Sequence, residues 1–533
     1  MHGSPQTVQR LGQTIPARII IGVTGHRRLQ DVPALAKQVR VTLERVRQLL
    51  PPLSSTPVMF SVLSPLAEGA DRLVVHEVLK FPASRLDVVL PLEKGDYVQD
   101  FETPDSKTEF AELLSRARRV KQLPPAASRN EAYTQAGRYV VDHCDVLIAL
   151  WDGKPAAGQG GTAEIVQYAR ETRCPLFWIH TADAAEITEE LGRGLELRPY
   201  RYLDEYNSES VDPGEVERCA QDQYQALLRQ AENRELENLR AVCEPLLPHY
   251  ARADILALRY QHLYMKAGSL IYLLAAAAVA VVAAQALFWP EQPSIVLIEV
   301  VLMAAALGIL WLGRRQRWHA KWIDYRFLAE RLRSALFLAL AGLEALPLRP
   351  PRHLSLAYSA KDWMVAAFSS VWDQIPRLDH SLAPFEPLRR FVLQAWIEDQ
   401  LLYHEGTMKR HGGRHRRLVY AGNLLFGMTL VVALLHCMRF GSHRFHNGLA
   451  LVAIASPAVG GALGTLRTHR EYLRNASRPA EMARHLEELK ARMKAADSAE
   501  RFLPLVREAE ETMLHENEDW RVVVRFHELE PMA

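Results

Sequence analysis

The sequence predicts a doubly wound, parallel-sheet α/β domain at the N-terminus, followed by an α-helical region with four transmembrane helices. Two observations carry this. Up to about residue 180, short wholly apolar runs alternate with amphipathic stretches, the pattern of a parallel sheet covered by helices on both faces. Beyond about residue 267, four apolar runs each approach the ~20 residues that a spanning helix needs. At 533 residues the chain is also too long for one ordinary core.

The N-terminal elements follow in order. Arg18-Ile-Ile-Ile-Gly-Val-Thr24 reads as a strand ending at Gly25, and Val32 to Leu50 as a helix stopped by Pro51-Pro52. Val58 to Leu63 is a second strand, followed by a loop and a helix from near Ala70. Leu86 to Leu90 is a third strand. A helix around Tyr133 to His143 precedes the fourth strand, Val146 to Trp151, and a helix from Thr162 to Glu171 precedes the fifth, Leu176 to Ile179. The domain is expected over 1–182. Residues 183–266 are charged and helical, with breaks near Pro213-Gly214 and Pro245.

The first membrane module is expected over 267–345, with spans at about 268–288 and 295–313. A cytoplasmic helical segment follows at 346–410. The second module covers 411–533, with spans at about 418–437 and 448–466 and cytoplasmic helices after them. Basic residues flank each pair. Arg252, Arg259 and Lys266 precede the first span, and Arg314, Arg315, Arg317 and Lys321 follow the second. The link Trp289-Pro-Glu-Gln-Pro293 has neither Lys nor Arg. Lys409, Arg410, Arg414, Arg416 and Arg417 precede the third span, and Arg467, Arg470 and Arg474 follow the fourth, with only Arg439 and Arg444 between. By the positive-inside rule both hairpins point outward, and both termini are cytoplasmic in a multi-pass inner-membrane protein. Ala329-Glu330-x-x-Arg333 after the second span and Ala480-Glu481-x-x-Arg484 after the fourth raise the expectation of a duplicated hairpin unit.

Net charge is +2, so no nucleic-acid partner is expected. The five cysteines form no CxxC pair, and no His cluster has metal-ligand spacing, so no metal and a reduced compartment are expected. The polar first thirty residues do not read as a secretory signal peptide.

Open α/β sheets bind ligands at the loops following the strands. The first such loop is Gly22-Val-Thr-Gly-His-Arg-Arg28, where Gly22 and Gly25 allow tight turns, Thr24 offers a hydroxyl, and His26 and Arg27 offer donors to an anion. The second is Ser64-Pro-Leu-Ala-Glu-Gly-Ala-Asp71, bringing Ser64, Glu68, Gly69 and Asp71 to the same edge. The third runs from Trp151-Asp152-Gly153 to Gly158-Gln-Gly-Gly-Thr-Ala-Glu164. There Gly160 and Gly161 expose backbone N–H groups at a helix start, Thr162 is expected to cap the helix, and Glu164 sits in its first turn. Three such loops at one edge favour a phosphate-bearing ligand. Trp151 and Tyr133 are candidates to stack on a base or to belong to the core. Glu299, the acidic residue within a span, is either functional or interfacial.

The segments GVTGHR at 22–27, LAEGAD at 66–71, DVLIALWDG at 145–153 and GQGGTAE at 158–164 resemble the SLOG superfamily, the Rossmann-like group that includes the DNA-processing A domain and the lonely-guy phosphoribohydrolases. The membrane part resembles SLATT domains, on Tyr260-Gln-His-Leu-Tyr264 and Tyr325-Arg-Phe-Leu-Ala-Glu-Arg-Leu-Arg333 around the first hairpin. Trp396-Ile-Glu-Asp-Gln400 and Glu516-x-x-Asp-Trp520 flank the second. The resemblance implies a nucleotide-derived ligand and a membrane effector, with pore formation in a bacterial conflict system. Four helices per chain make a poor pore alone, so a homo-oligomer is expected, and no further cofactor is expected. The partners expected are the bilayer, further copies of the chain and a messenger-producing enzyme. It also implies an alternative, a membrane-anchored nucleotide N-glycosidase or phosphoribohydrolase using Glu164. Lonely-guy enzymes carry PGGxGTxxE, however, and Glu164 lies two rather than three positions past Thr162, a turn of about 100° on a helix. Binding without catalysis is therefore the expectation. A ligand-regulated transporter or channel is the third reading.

Overall fold

The computed structural model describes residues 14–155, 161–182, 186–195, 197–231, 238–343, 363–376, 385–438, 442–469 and 474–525. The chain forms two compact units, Met1–Ser210 with Ala360–Asp373, and Val211–Ser359 with Gln374–Ala533.

Among the described residues the first unit has seven strands: β1 (Ala17–Gly25), β2 (Val58–Ser64), β3 (Arg85–Leu90), β4 (Arg119–Gln122), β5 (Val146–Trp151), β6 (Leu176–His180) and β7 (Ile187–Glu190). They lie in the order β4-β3-β2-β1-β5-β6-β7, and only β6–β7 is antiparallel. All six residues of β5 are buried, because helices cover both faces. The five expected strands are present. The two additional strands are the sheet edges, where Arg-Val-Lys-Gln and Ile-Thr-Glu-Glu carry the charge that edge strands tolerate.

Polar side chains cap several helices of this unit. Asp31 accepts from the Ala34 N–H at 3.2 Å to cap α1 (Val32–Gln48), and α2 (Ala70–Val78) follows β2. A short α3 (Lys94–Tyr97) precedes α4 (Pro104–Arg116), capped by Thr103. Ser128 caps α5 (Arg129–His143), and α6 is Thr162–Glu171. The unit extends past residue 182 through α7 (Arg198–Ser208). Asn207 of that helix is buried, accepts from the Ile15 N–H at 3.1 Å and donates to the Ile15 carbonyl at 2.8 Å. It also takes in α12 (Trp363–Trp372), a helix from the segment between the two membrane hairpins.

The second unit is helical. Asp212 caps α8 (Pro213–Gln230), accepting from the Gly214 N–H at 3.1 Å, so the expected break near Pro213-Gly214 falls at a helix start. The expected break at Pro245 is absent: α9 runs unbroken from Leu239 to Phe288, with Pro245 and Pro248 inside it. Leu239, Val242, Cys243, Leu246 and Leu247 are buried around these prolines, so tertiary packing offsets the lost backbone hydrogen bonds. After a short loop, α10 (Val296–Arg315) returns, and α11 (Trp318–Leu340) folds back along α9. Tyr260 meets Tyr325 edge-on at 5.6 Å, and Arg326 binds Asp254 at 3.0 Å.

The same plan recurs. Past α13 (Phe385–Val392) and a π-helical turn at Leu393–Glu398, α14 (Asp399–Cys437) leads to α15 (His443–His469). Then α16 (Arg474–Ala495) packs on α14, with Lys490 3.1 Å from Glu398. α15 also packs on α9, and α17 (Ala499–Arg525) packs on α11. Among the described residues four helices are long and apolar enough to cross a membrane, two in each hairpin, and the chain is a multi-pass membrane protein. The repeated charged motif differs between the hairpins. Glu330 is buried between Arg326 and Arg333, whereas Glu481 and Arg484 are exposed.

Candidate functional site

In this strand order the chain runs outward from β1 to β4 and then returns to β5 on the other side of β1. The switch point therefore lies between the C-terminal ends of β1 and β5, the position at which open α/β sheets bind ligands. Three loops meet there, and backbone hydrogen bonds stitch them together. The His26 N–H donates to the Leu150 carbonyl at 3.0 Å, and the Ala70 N–H donates to the His26 carbonyl at 3.0 Å. Small residues permit this approach. A Cβ at Gly25 would run into Ala70 and Leu150, and one at Gly69 into the carbonyls of Arg27 and His26. Gly69 also has φ of +78°, which favours glycine. Gly22 lies deeper, where a Cβ would meet Cys144 and Val140.

Within the first loop, Thr24 is buried at the end of β1, while His26 is half-buried and Arg27 exposed. The Nε2 of His26 lies 3.1 Å from both the Asp152 N–H and the Asp152 Oδ1. The guanidinium of Arg27 sits 5.4 Å over the Tyr133 ring. Tyr133 itself donates to Asp100, so it supports Arg27 from beneath.

In the second loop, Ser64 and Asp71 turn inward. Asp71 accepts from Ser64 Oγ at 3.1 Å and from the Ala67 N–H at 3.1 Å, holding the loop's shape. Burial pushes its carboxyl up to about 7, against the lowering effect of those two bonds and of Arg27 and Arg72. Glu68 accepts from the Glu102 N–H at 3.2 Å and from Ser106 Oγ, anchoring the loop to the start of α4. Arg72, which the loop pattern did not single out, is buried beneath it. It donates to the Leu66 carbonyl at 3.2 Å and to Glu109 at 2.8 Å, with Phe101 stacked 4.6 Å away. Its only sequence signal is its place directly after Asp71.

In the third loop, the Trp151 indole donates to the Lys154 carbonyl at 3.0 Å and tilts against Trp178 at 4.9 Å, while Trp178 stacks on His180 at 3.8 Å. Trp151 is buried in this stack. Gly153, at φ +82°, passes over the Trp178 ring. Asp152 accepts from the Lys154 N–H at 3.1 Å. That bond holds its carboxyl below the usual range against the opposing effect of burial, with His26 and the Lys154 side chain adding to it. Gly160 lies outside the described residues. Gly161 is the residue at the start of α6 and has no side chain with which to cap it; Thr162 is already the first helical residue, so the expected Thr162 cap does not form. Glu164, in the first turn, pairs with Arg138 at 3.1 Å. Arg138 is a second residue the loop pattern missed, since it comes from a different helix 26 positions earlier.

The C-terminal edge of the sheet thus carries His26, the exposed Arg27 and the N-terminal turn of α6, a set of donors suited to an anionic group. In the second unit, Glu299 is half-exposed in the first turn of α10, close to the loop that joins α9 to α10.

Residues 393–520 match the family described as the SMODS and SLOG-associating 2TM effector domain 1. The C-terminal part carries a SLATT-type domain. The match opens at the π-helical turn before α14 and covers the α14–α15 hairpin, α16 and most of α17. None of the curated proteins compared with the chain matches it. The SLATT-type domain therefore follows an N-terminal domain whose parallel sheet and strand order are those of a Rossmann-like fold.

Proposed function

We propose that the chain is a membrane effector gated by a nucleotide-derived signal, which binds to a SLOG-like N-terminal domain at the crevice between β1 and β5. One observation carries this reading: loops from β1, β2 and β5 are fastened to one another at the switch point, with exposed Arg27, half-buried His26 and the start of α6 facing one edge. The match of residues 393–520 to a domain described as a 2TM effector supports the output side. The α9–α10–α11 arrangement repeats the α14–α15–α16 plan outside the matched residues and is read as a second module of the same type. Basic residues flanking both hairpins favour cytoplasmic termini and an inner-membrane location. Four spans per chain make a poor conduit, so the effector acts as a homo-oligomer that opens a pore. A ligand with different affinity for two arrangements would supply the gating energy.

Mass spectrometry of small molecules retained by the purified full chain tests the reading. A retained nucleotide derivative lost in Arg27→Ala supports it. An empty protein that binds nothing in a nucleotide panel overturns it. Free base released from nucleotides, and abolished by Glu164→Gln, would replace it with the N-glycosidase alternative. Ion flux without any ligand would replace it with a constitutive channel.

A further inference from the structure

Asp373 follows α12 directly and is almost fully buried in the first unit. It receives Arg18 and Arg119, and Arg85 Nη1 lies 3.2 Å from its carboxylate. Arg18 also binds Asp87 at 2.7 Å and donates to Ser61 Oγ at 2.6 Å. The register places these residues side by side, with Ser61 opposite Arg85 and Asp87 opposite Arg119. Arg18 is the second residue of β1, and Arg85 and Arg119 are the first of β3 and β4. One carboxylate thus ties together the strand ends opposite the candidate ligand edge. Helix α12 adds an apolar contact, with Trp363 tilted on Tyr206 at 5.3 Å.

We propose that Trp363–Asp373 is a strap by which the segment between the two membrane hairpins is fastened to the sheet. Asp373 is its charge lock, and the lock is linked through β1 to the ligand-edge loops. Without Asp373, three guanidiniums share one carboxylate, Asp87, and repel one another across β1, β3 and β4. β1 carries Arg18 near one end and Gly25 at the other, about 23 Å apart. Its register is held by β2 over the first part and by β5 over the last. Loosening the lock frees the lateral packing of the strand on which the His26 and Gly69 loops are stitched. The strap lies in sequence between α11 and α14, so the chain on either side of it continues into the second unit. This inference goes beyond the proposed function and does not depend on the ligand being a nucleotide.

Hydrogen exchange of the full chain in detergent tests it without any ligand. In Asp373→Asn, amides of 363–372 and of the loops 22–27 and 64–71 should exchange about tenfold faster, while α16 keeps its wild-type rates. Reciprocally, Gly69→Ala should accelerate 363–372. Should Asp373→Asn fail to fold, Arg119→Ala, at a partly exposed position, gives the same pattern in weaker form. Continued protection of 363–372 in the charge-removing variants overturns the lock. Acceleration confined to the strap, with wild-type rates in the loops, overturns the linkage. A chain that shows the coupling yet binds no nucleotide refutes the proposed ligand alone.

Discussion

Gly69 and Arg27 approach so closely that no side chain fits between them: a Cβ on Gly69 would collide with the Arg27 carbonyl oxygen. The contact joins the loops after β1 and β2, and the neighbouring Ala70 N–H bond to His26 completes it. Gly69→Ala adds a steric clash to a positive φ, at a cost of about 2–4 kcal/mol. We expect a lower melting temperature for the full chain and loss of any ligand retained at the crevice. Ala67→Gly, in the same loop but away from the contact, should leave ligand retention intact. Calorimetry and ligand retention of the two variants check this.

Asp71 makes the second loop sensitive to pH. Its folded-state carboxyl is pushed up to about 7 from an ordinary value of 3.8, so the folded protein holds this proton more tightly than the unfolded chain. The resulting stabilisation is fully present below about pH 4 and is lost as pH rises through 7. Asp71→Asn keeps an oxygen to accept from Ser64 and Ala67 but removes the titration. Local stability of residues 64–71, read by hydrogen exchange, should fall between pH 5 and 8 in the wild type and stay level in the variant.

Much of this site could be read from the sequence because it depends on local backbone chemistry. The glycines at 22, 25, 69 and 153 and the short apolar strands each carry their signal within a few residues. Other features depend on pairs far apart in the chain. Asp373 gives no hint of Arg18, 355 positions away, and Arg138 gives none of Glu164. The edge strands Arg119–Gln122 and Ile187–Glu190 lack the apolar character by which central strands are recognised. Pro245 misleads for the opposite reason, since a local helix-breaking signal yields to the buried face of α9. Cys144 and Cys174 look scattered at a separation of 30, yet their sulfurs lie 3.7 Å apart in the core.

The second unit responds to pH with the opposite sign. Burial holds His249 down at about 4, with a smaller contribution from Arg252. His404 is held at about 4 by burial and Arg333, against the opposing pull of Glu330. The unfolded chain takes up these protons near 6.5, and the folded chain does so only near 4. The stability that the neutral rings contribute is therefore complete above about 6.5 and is lost as pH falls towards 4. On acidification from pH 7 to 5, exchange protection should fall around His249 and His404 while it rises in the 64–71 loop. His249→Leu should remove part of the acid sensitivity of α9 and leave the loop's response unchanged.

Arg331 of α11 and Glu510 of α17 form a buried ion pair at 3.1 Å, with both side chains almost fully excluded from solvent. It joins the helix after the first hairpin to the last helix of the second, and so fastens the SLATT-type domain to the module that precedes it. Removing one partner leaves an uncompensated buried charge, and Glu510→Leu or Arg331→Met alone should each cost about 3–5 kcal/mol. The double variant Arg331→Met/Glu510→Leu leaves no charge behind and should recover most of that loss. Thermal unfolding of the four proteins in detergent forms a double-mutant cycle. A large coupling energy shows that the two modules fold as one cooperative body through this pair. Additive losses would show instead that α17 is held by its apolar residues Phe502, Val506 and Met513, which are buried along the same helix.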